Sequence, residues 1–413
     1  MGGARSEVEQ GMISIAVLGY GVVGSGVVHV LDKNSAGISR NAGQDIKVKY
    51  ILDIREFPDN PYKSLFATDF DAIINDPEIS VVVEVIGGVD AALTYTRKCL
   101  EAGKSVVTSN KELVAEYGSE LLKLAMEKDV NYLFEASVGG GIPVIRPIAQ
   151  CMSANTITEI YGILNGTTNY ILTDMRRNGA AFFDSLLEAQ KKGYAESDPT
   201  ADIEGFDTCR KICILSSLAF GRHVYPRQVP TEGITGISKS DVCYAEALGY
   251  EIKLLGRARA VGEKVSVYVA PHLVNEHSIL AVVDDVMNGV VVRGNAVGNV
   301  VFCGAGAGKL PTASAVVADV IDAVKHLHAR RWISWCDSPE DLISDPVLLD
   351  SAWYIRTNAT RAKVEKEFGS VLFAECEGDE TAFITAVMNS NMISDILDRG
   401  ITALSQFRIL GDH

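Results

Sequence analysis

The sequence predicts an α/β protein in three parts: an N-terminal doubly wound parallel-sheet domain, an α+β domain on a mixed sheet, and a small βαββαβ tail. Three observations predict it. A strand, a glycine-rich turn and a helix open the chain within residues 13–31. Strand-like and helical runs then alternate to about residue 140, the order of parallel βαβ units. Beyond residue 156 several strand-like runs succeed one another, and the last stretch reads strand, helix, strand, strand, helix, strand. The expected boundaries are 1–140, 141–330 and 348–413, with a helix at 311–328 returning to the first domain.

Taken in order, Ile13-Ser14-Ile15-Ala16-Val17-Leu18 is a mostly apolar strand. Gly19-Tyr20-Gly21-Val22-Val23-Gly24 follows, then the helical pattern Val27-Val28-Val30-Leu31. This is GxGxxG between a strand and a helix. Its glycines allow a tight turn, close approach of a pyrophosphate and helix-on-strand packing, and the helix N-terminus faces the anion. Against a chance glycine turn, this context favours a Rossmann dinucleotide site at Gly19, Gly21, Val22, Val23 and Gly24. A second strand, 47–52, ends in Asp53-Ile54-Arg55. Asp53 suits the ribose hydroxyls of NAD, whereas Arg55 suits the 2′-phosphate of NADP, and both options stay open. A Val-rich strand, 79–86, runs into Gly87-Gly88, and the strand 105–108 into Ser109-Asn110-Lys111. Ligands of such sheets sit at strand carboxyl ends. Gly87, Gly88, Ser109 and Lys111 stand there, although Lys111 also reads as an exposed helix-start lysine.

A strand at 131–135 leads into Ala136-Ser137-Val138-Gly139-Gly140-Gly141-Ile142-Pro143. Its glycines either line an ion or ligand site with backbone carbonyls or make a tight crossover. The strand 156–164 ends in Asn165-Gly166-Thr167-Thr168-Asn169, which opens a helix and offers hydroxyls, amides and a helix N-terminus, or else a plain N-cap. The stretch 193–211 gathers Glu196, Asp198, Asp202, Glu204 and Asp207 and ends on Arg210-Lys211, just before an expected helix at 212–220. It reads as a solvated acidic loop or as a pocket for an amine-bearing substrate with a lysine to handle an oxyanion or a proton. Gly304-Ala305-Gly306-Ala307-Gly308-Lys309 lacks the G-K-S/T ending of a P-loop and reads as a return to the dinucleotide site. A composition shift at 332–346 marks a boundary before the tail.

Composition narrows the function. With a net charge of −15 and a pI near 5.0, the chain lacks the basic surface that nucleic acid binding needs. Its eight Cys form no CxxC pair. Cys209 and Cys213 share a helix face but have no His or second Cys pair beside them, so a reduced, cytoplasmic protein is expected. The polar start at 1–11 is no signal peptide and reads as an extension, with Met12 a natural start. No run is long and apolar enough to span a membrane.

Several segments resemble one family, homoserine dehydrogenase: GYGVVG at 19–24, TSNKEL at 108–113, EASVGGGIP at 135–143, GILNGTTNYIL at 162–172, GYAESDPTADIEGFDTCRK at 193–211 and GAGAGKLPTASAVVADV at 304–320. The resemblance implies reduction of L-aspartate 4-semialdehyde to L-homoserine with NADH or NADPH, on the route to threonine and methionine. It implies Lys211 as proton donor and Lys111 as a second catalytic lysine beside the nicotinamide. It further implies Glu196 and Asp207 as substrate ligands, with Asp202 in the same motif and Gly166 and Thr167 suited to the substrate carboxylate. Gly308 is implied to touch the cofactor. Glu135, Val138, Gly140 and Ile142 match a monovalent cation site, usually sodium, and a homodimer or higher oligomer is expected. The tail resembles an ACT domain. It departs from that pattern at Ala359-Thr360-Arg361-Ala362-Lys363-Val364, where a Pro-Gly-Val-Leu-like turn is usual, so the expectation concerns the fold rather than an amino acid site. The competing expectation is a silent dinucleotide sensor; intact Lys111, Glu196, Asp207 and Lys211 speak against it.

Overall fold

The computed structural model describes residues 11–330, 333–338, 341–375 and 379–411. The polar start at 1–10, Trp332 and Cys376 lie outside the described residues. The chain divides into two compact units. The first comprises Met1–Ala154, Ser217–His223 and Ala305–Asp337; the second comprises Asn155–Ser216, Val224–Gly304 and Ser338–His413.

The first unit holds β1 (Met12–Leu18), β2 (Asp45–Leu52), β3 (Phe66–Ala67), β4 (Ile79–Glu84), β5 (Ser105–Thr108) and β6 (Tyr132–Leu133). They form one sheet in the order β3-β2-β1-β4-β5-β6, every pair parallel. This is the doubly wound order, and its direction reverses between β1 and β4. Buried Val, Ile and Leu on β1, β4 and β5 explain the near-continuous apolar runs, since helices cover both faces of such a sheet. The helix Lys309–Lys325 packs on the helix Val22–Lys33: a side chain on Gly26 would stand 3.0 Å from Ala313 Cβ. The expected strand at 131–135 shortens to Tyr132–Leu133, because Glu135 starts a 3-10 turn, Glu135–Ser137. Its carboxylate accepts from the amides of Val144, Ile145 and Arg146 at 2.6, 2.8 and 2.9 Å.

The second unit holds β7 (Ile157–Ile163), β8 (Tyr250–Val261), β9 (Lys264–Asn275), β10 (Met287–Gly294), β11 (Gly298–Ala305), β12 (Trp353–Thr357), β13 (Leu372–Phe373), β14 (Thr381–Ile384) and β15 (Ala403–Ile409). They make one mixed sheet in the order β11-β10-β7-β8-β9-β15-β12-β14-β13. β15 joins β9 in parallel, while β7–β8, β8–β9, β12–β14 and β12–β15 pair antiparallel. The sequence reading does not foresee β11, whose residues are exposed or half-buried and leave no clear apolar signature.

The tail's strands follow the order β15-β12-β14-β13 with helices Arg361–Phe368 and Ser390–Leu397, which is the split βαβ arrangement. Sequence reading sets 348–413 apart as a small domain; here those strands continue the second unit's sheet. Alternation along β12 explains it. Trp353 and Ile355 point into the tail's own core with Val364, Phe368, Phe383 and Ile393. Tyr354 and Arg356 point the other way, and both bond Asp241 of the helix Lys239–Ala247, at 3.2 and 2.7 Å.

One further difference bears on the chemistry. The helix expected from Ile212 begins at Phe206, directly after Gly205, whose φ of +82° breaks the preceding turn. Asp207 and Lys211 therefore share one helix face at i,i+4 spacing.

Candidate active site

In the first unit the predicted cofactor residues gather at the carboxyl ends of β1, β2, β4 and β5. Gly19 has a φ of +97°, and a Cβ there would lie 2.8 Å from the Val85 carbonyl, so only glycine fits the turn. Gly21 serves as N-cap of the helix Val22–Lys33, whose first residue is exposed. Chain neighbours aside, no atom of the described residues lies within 4 Å of where a side chain would stand on Gly87 or Gly88. This open glycine backbone beside a helix N-terminus fits a dinucleotide pyrophosphate. Ser109 and Lys111 follow β5, and Lys111 is the first residue of the helix Lys111–Glu127. Gly308 caps the helix Lys309–Lys325 with a φ of +125°.

Asp53 and Arg55 form one unit rather than two rival signals. The Asp53 carboxylate accepts from the Tyr20 amide at 2.7 Å, the Arg55 amide at 2.9 Å, and the Arg55 guanidinium through two bonds of 2.9 Å. The guanidinium bonds lead in holding the Asp53 carboxyl down to about 2. Arg55 leans over the Phe57 ring and leaves 58% of its side chain exposed.

In the second unit Lys211, 7% exposed, donates to Asp207 Oδ2 and to the Leu164 carbonyl, both at 2.7 Å. Asn165 links the pieces. Its amide nitrogen donates to Asp202 Oδ1 at 2.7 Å and Asp207 Oδ2 at 2.9 Å, while its carbonyl oxygen accepts from the Thr168 amide at 2.8 Å and caps the helix Gly166–Asn178. Burial first, then the Asp207 charge, pushes the Asp202 carboxyl above its ordinary range. Thr167 bonds the Tyr194 carbonyl at 2.7 Å, tying the acidic segment to the helix start beside Gly166. Glu196 stands apart. Its side chain is exposed, and among the described residues only its backbone carbonyl is held, by Gln190 at 3.0 Å.

The glycine loop 138–142 lies in the first unit. Gly140 has a φ of +56°, and a Cβ there would meet the Gly306 carbonyl at 2.2 Å. The carbonyls of Val138, Gly140 and Ile142 accept no hydrogen bond among the described residues, although these residues are buried. Orphaned buried carbonyls suit an alkali cation. The Glu135 side chain, in contrast, is spent on three amides and Arg146, so only its backbone oxygen is left to join them.

Sequence reasoning passed over Asn165 as a network centre, and Glu84 with Thr108. The signals were there: a polar residue at an N-cap site, and one acid ending a Val-rich strand.

Comparison with known proteins gives the family and the fold. A model of the homoserine dehydrogenase NAD binding domain matches residues 19–135, and a homoserine dehydrogenase model matches 143–321. A homoserine dehydrogenase of Pseudomonas aeruginosa is 44% identical over 356 residues, covering 84% of this chain and 82% of that protein. The solved homoserine dehydrogenase of Thiobacillus denitrificans matches with a TM-score of 0.88 and 37% identity, covering 97% of this chain and 99% of that one. A hyperthermophilic archaeal homoserine dehydrogenase, solved in complex with NADPH, matches with a TM-score of 0.64 and 26% identity over 76% of this chain and 97% of that one. The chain belongs to the homoserine dehydrogenase family, NAD(P)-dependent oxidoreductases that act on a CH–OH group and serve threonine and methionine biosynthesis.

Proposed function

We propose that Lys211 is the proton donor and acceptor in the reversible reduction of L-aspartate 4-semialdehyde to L-homoserine, with Asp207, Asp202 and Glu196 holding the amino acid substrate. One observation carries this reading: a buried lysine ammonium bonded to Asp207, itself tied through Asn165 to Asp202. Bound NADH or NADPH supplies the hydride. As the aldehyde oxygen gains charge, the Lys211 ammonium gives it a proton and becomes an amine, which takes a proton back in the oxidation direction. Asp207 and Glu196 suit the substrate ammonium, and the helix start at Gly166 and Thr167 suits its carboxylate. Lys111, at the carboxyl end of β5, is the second catalytic lysine, on the cofactor side.

The finer cofactor choice is NADP. Asp53 already accepts four hydrogen bonds, whereas the Arg55 guanidinium keeps an exposed face for a 2′-phosphate. A sodium ion on the carbonyls of Glu135, Val138, Gly140 and Ile142 would satisfy the loop. The chain works as a homodimer or higher oligomer; β11 is an edge strand of the second unit's sheet. Among the described residues seven Cys are free thiols, which suits a cytoplasmic location, and no described helix is long and apolar enough to cross a membrane.

The test is the initial rate of L-homoserine oxidation with NAD and with NADP, for wild type and Lys211→Ala, in sodium chloride and in choline chloride. We expect the variant to lose a factor of roughly 10²–10⁴ in kcat while staying folded. A folded variant with a near-normal rate would remove Lys211 from the chemistry, and equal rates in both salts would remove the cation.

A further inference from the structure

β4 runs Ile79-Ser80-Val81-Val82-Val83 and ends on Glu84, which is 0% exposed. Strand register sets Glu84 between Leu18 of β1 and Thr108 of β5, where the sheet order reverses. A buried carboxylate needs partners. Glu84 finds two, both neutral: the Ile86 amide donates to Oε1 at 2.7 Å, and the Thr108 hydroxyl donates to Oε2 at 2.6 Å.

From there the bonds close a ring. Thr108 Oγ1 accepts from the Asn110 amide at 2.9 Å. The Asn110 side-chain nitrogen donates to the Ile86 carbonyl at 3.3 Å and the Gly88 carbonyl at 2.6 Å. Its oxygen accepts from the Leu113 amide at 3.1 Å and caps the helix that begins at Lys111. The two loops joined by this ring carry Gly87, Gly88, Ser109 and Lys111.

We propose that Glu84 is a positioning residue for the dinucleotide: through Thr108 and Asn110 it fixes the loop after β4 to the loop after β5. This rests on the reading that those loops hold the cofactor. The ionised carboxylate orients the ring, since both its partners are donors. A protonated Glu84 must itself donate, and it competes with the Thr108 hydroxyl for direction. Burial pushes the Glu84 carboxyl up to about 7, so this exchange falls within the working range of pH. The other ionisable groups around it are Tyr132 of β6 and Cys99 of the helix Asp90–Glu101, both pushed up by burial and neutral there; Lys104 acts on Cys99. No cation pairs with Glu84 among the described residues.

The experiment is NADPH binding by fluorescence titration from pH 6 to pH 8, in wild type, Glu84→Gln, Thr108→Val and Thr108→Ser. The ratio of variant to wild-type Kd cancels the titration of the dinucleotide's own phosphate. At pH 8 we expect Glu84→Gln and Thr108→Val to weaken binding roughly tenfold. The Glu84→Gln ratio should shrink toward one at pH 6, and Thr108→Ser, which keeps the hydroxyl, should bind like wild type. Wild-type Kd in both Glu84→Gln and Thr108→Val overturns the proposal. So does a Glu84→Gln ratio constant with pH alongside a Thr108→Ser as weak as Thr108→Val, because packing alone would give that. If Glu84→Gln does not fold, the Thr108 pair decides. Gly88→Val separates the two ideas. If it also leaves NADPH binding unchanged, the loops do not hold the cofactor; if it weakens binding while Glu84→Gln and Thr108→Val do not, only the positioning role fails.

Discussion

Asp207 in the second unit and Glu84 in the first are buried by different means. In the second unit three buried acids meet a cation: Asp207 meets Lys211, Asp241 meets Arg356, and Glu159 meets Arg257, all within 2.6–2.7 Å. In the first unit Glu84 is equally buried and, among the described residues, meets only an amide and a hydroxyl. A paired acid keeps its charge but depends on its partner's presence. An acid with neutral partners needs no cation, yet it holds its charge only above a threshold of pH. Asp207 thus carries charge fixed by pairing, and Glu84 carries charge that varies with pH.

The paired design breaks most severely when one partner is removed. Asp241 is 0% exposed and also accepts from Ser238 and Tyr354, so it would not be stripped bare. Arg356→Ala should still destabilise the second unit by about 3 kcal/mol, the low end for an orphaned buried charge. Denaturant unfolding measures this. The double variant Asp241→Leu, Arg356→Met should recover much of the loss. A loss under about 1 kcal/mol in Arg356→Ala would mean that the pair does not weld the tail to the sheet.

The neutral-partner design makes a prediction about pH. Glu84 rises from 4.5 unfolded to about 7 folded. The folded state therefore binds more protons in that range, and the contribution to stability is full below 4.5 and is lost as pH climbs through 7. Between pH 5 and pH 8 this loss comes to roughly 2.5 kcal/mol. Glu84→Gln removes the titration, so the stability difference between wild type and variant should move by that amount over the same range. A difference that stays flat would show that Glu84 keeps one protonation state throughout.

Much of this was legible in the sequence, and the omissions have physical causes. The doubly wound half followed from GxGxxG in its strand–helix setting and from Val-rich strands, because burial on both faces leaves a plain apolar signature. The βαββαβ tail was legible as an element order. Its attachment was not, since Arg356 and Asp241 lie 115 positions apart and neither sits in a recognisable motif. In sequence the acidic segment reads as a loop leading to a lysine at a helix start near Ile212, because Gly193, Pro199 and Gly205 are turn formers. Only Phe206–Phe220 as a helix brings Asp207 under Lys211. Glu196, singled out beside Asp207, stays exposed and makes no side-chain bond among the described residues, because shared membership of one motif carries no information about direction.

The smallest effect expected lies where the first unit borrows the second unit's solution. Asp53 is paired with a cation, but Arg55 is at the surface, and the pair is open to exchange with a ligand. The guanidinium neutralises Asp53 and, on the proposed NADP reading, would offer charge to a 2′-phosphate. Arg55→Ala removes that charge and releases the Asp53 carboxylate toward ribose hydroxyls. We expect kcat/KM with NADP to fall on the order of tenfold, while the value with NAD holds or rises. Initial rates of L-homoserine oxidation with each dinucleotide measure the ratio. An unchanged ratio would reduce Arg55 to an anchor for Asp53. The surface pair would then be as structural as the buried ones, and the contrast between the units would rest on Glu84 alone.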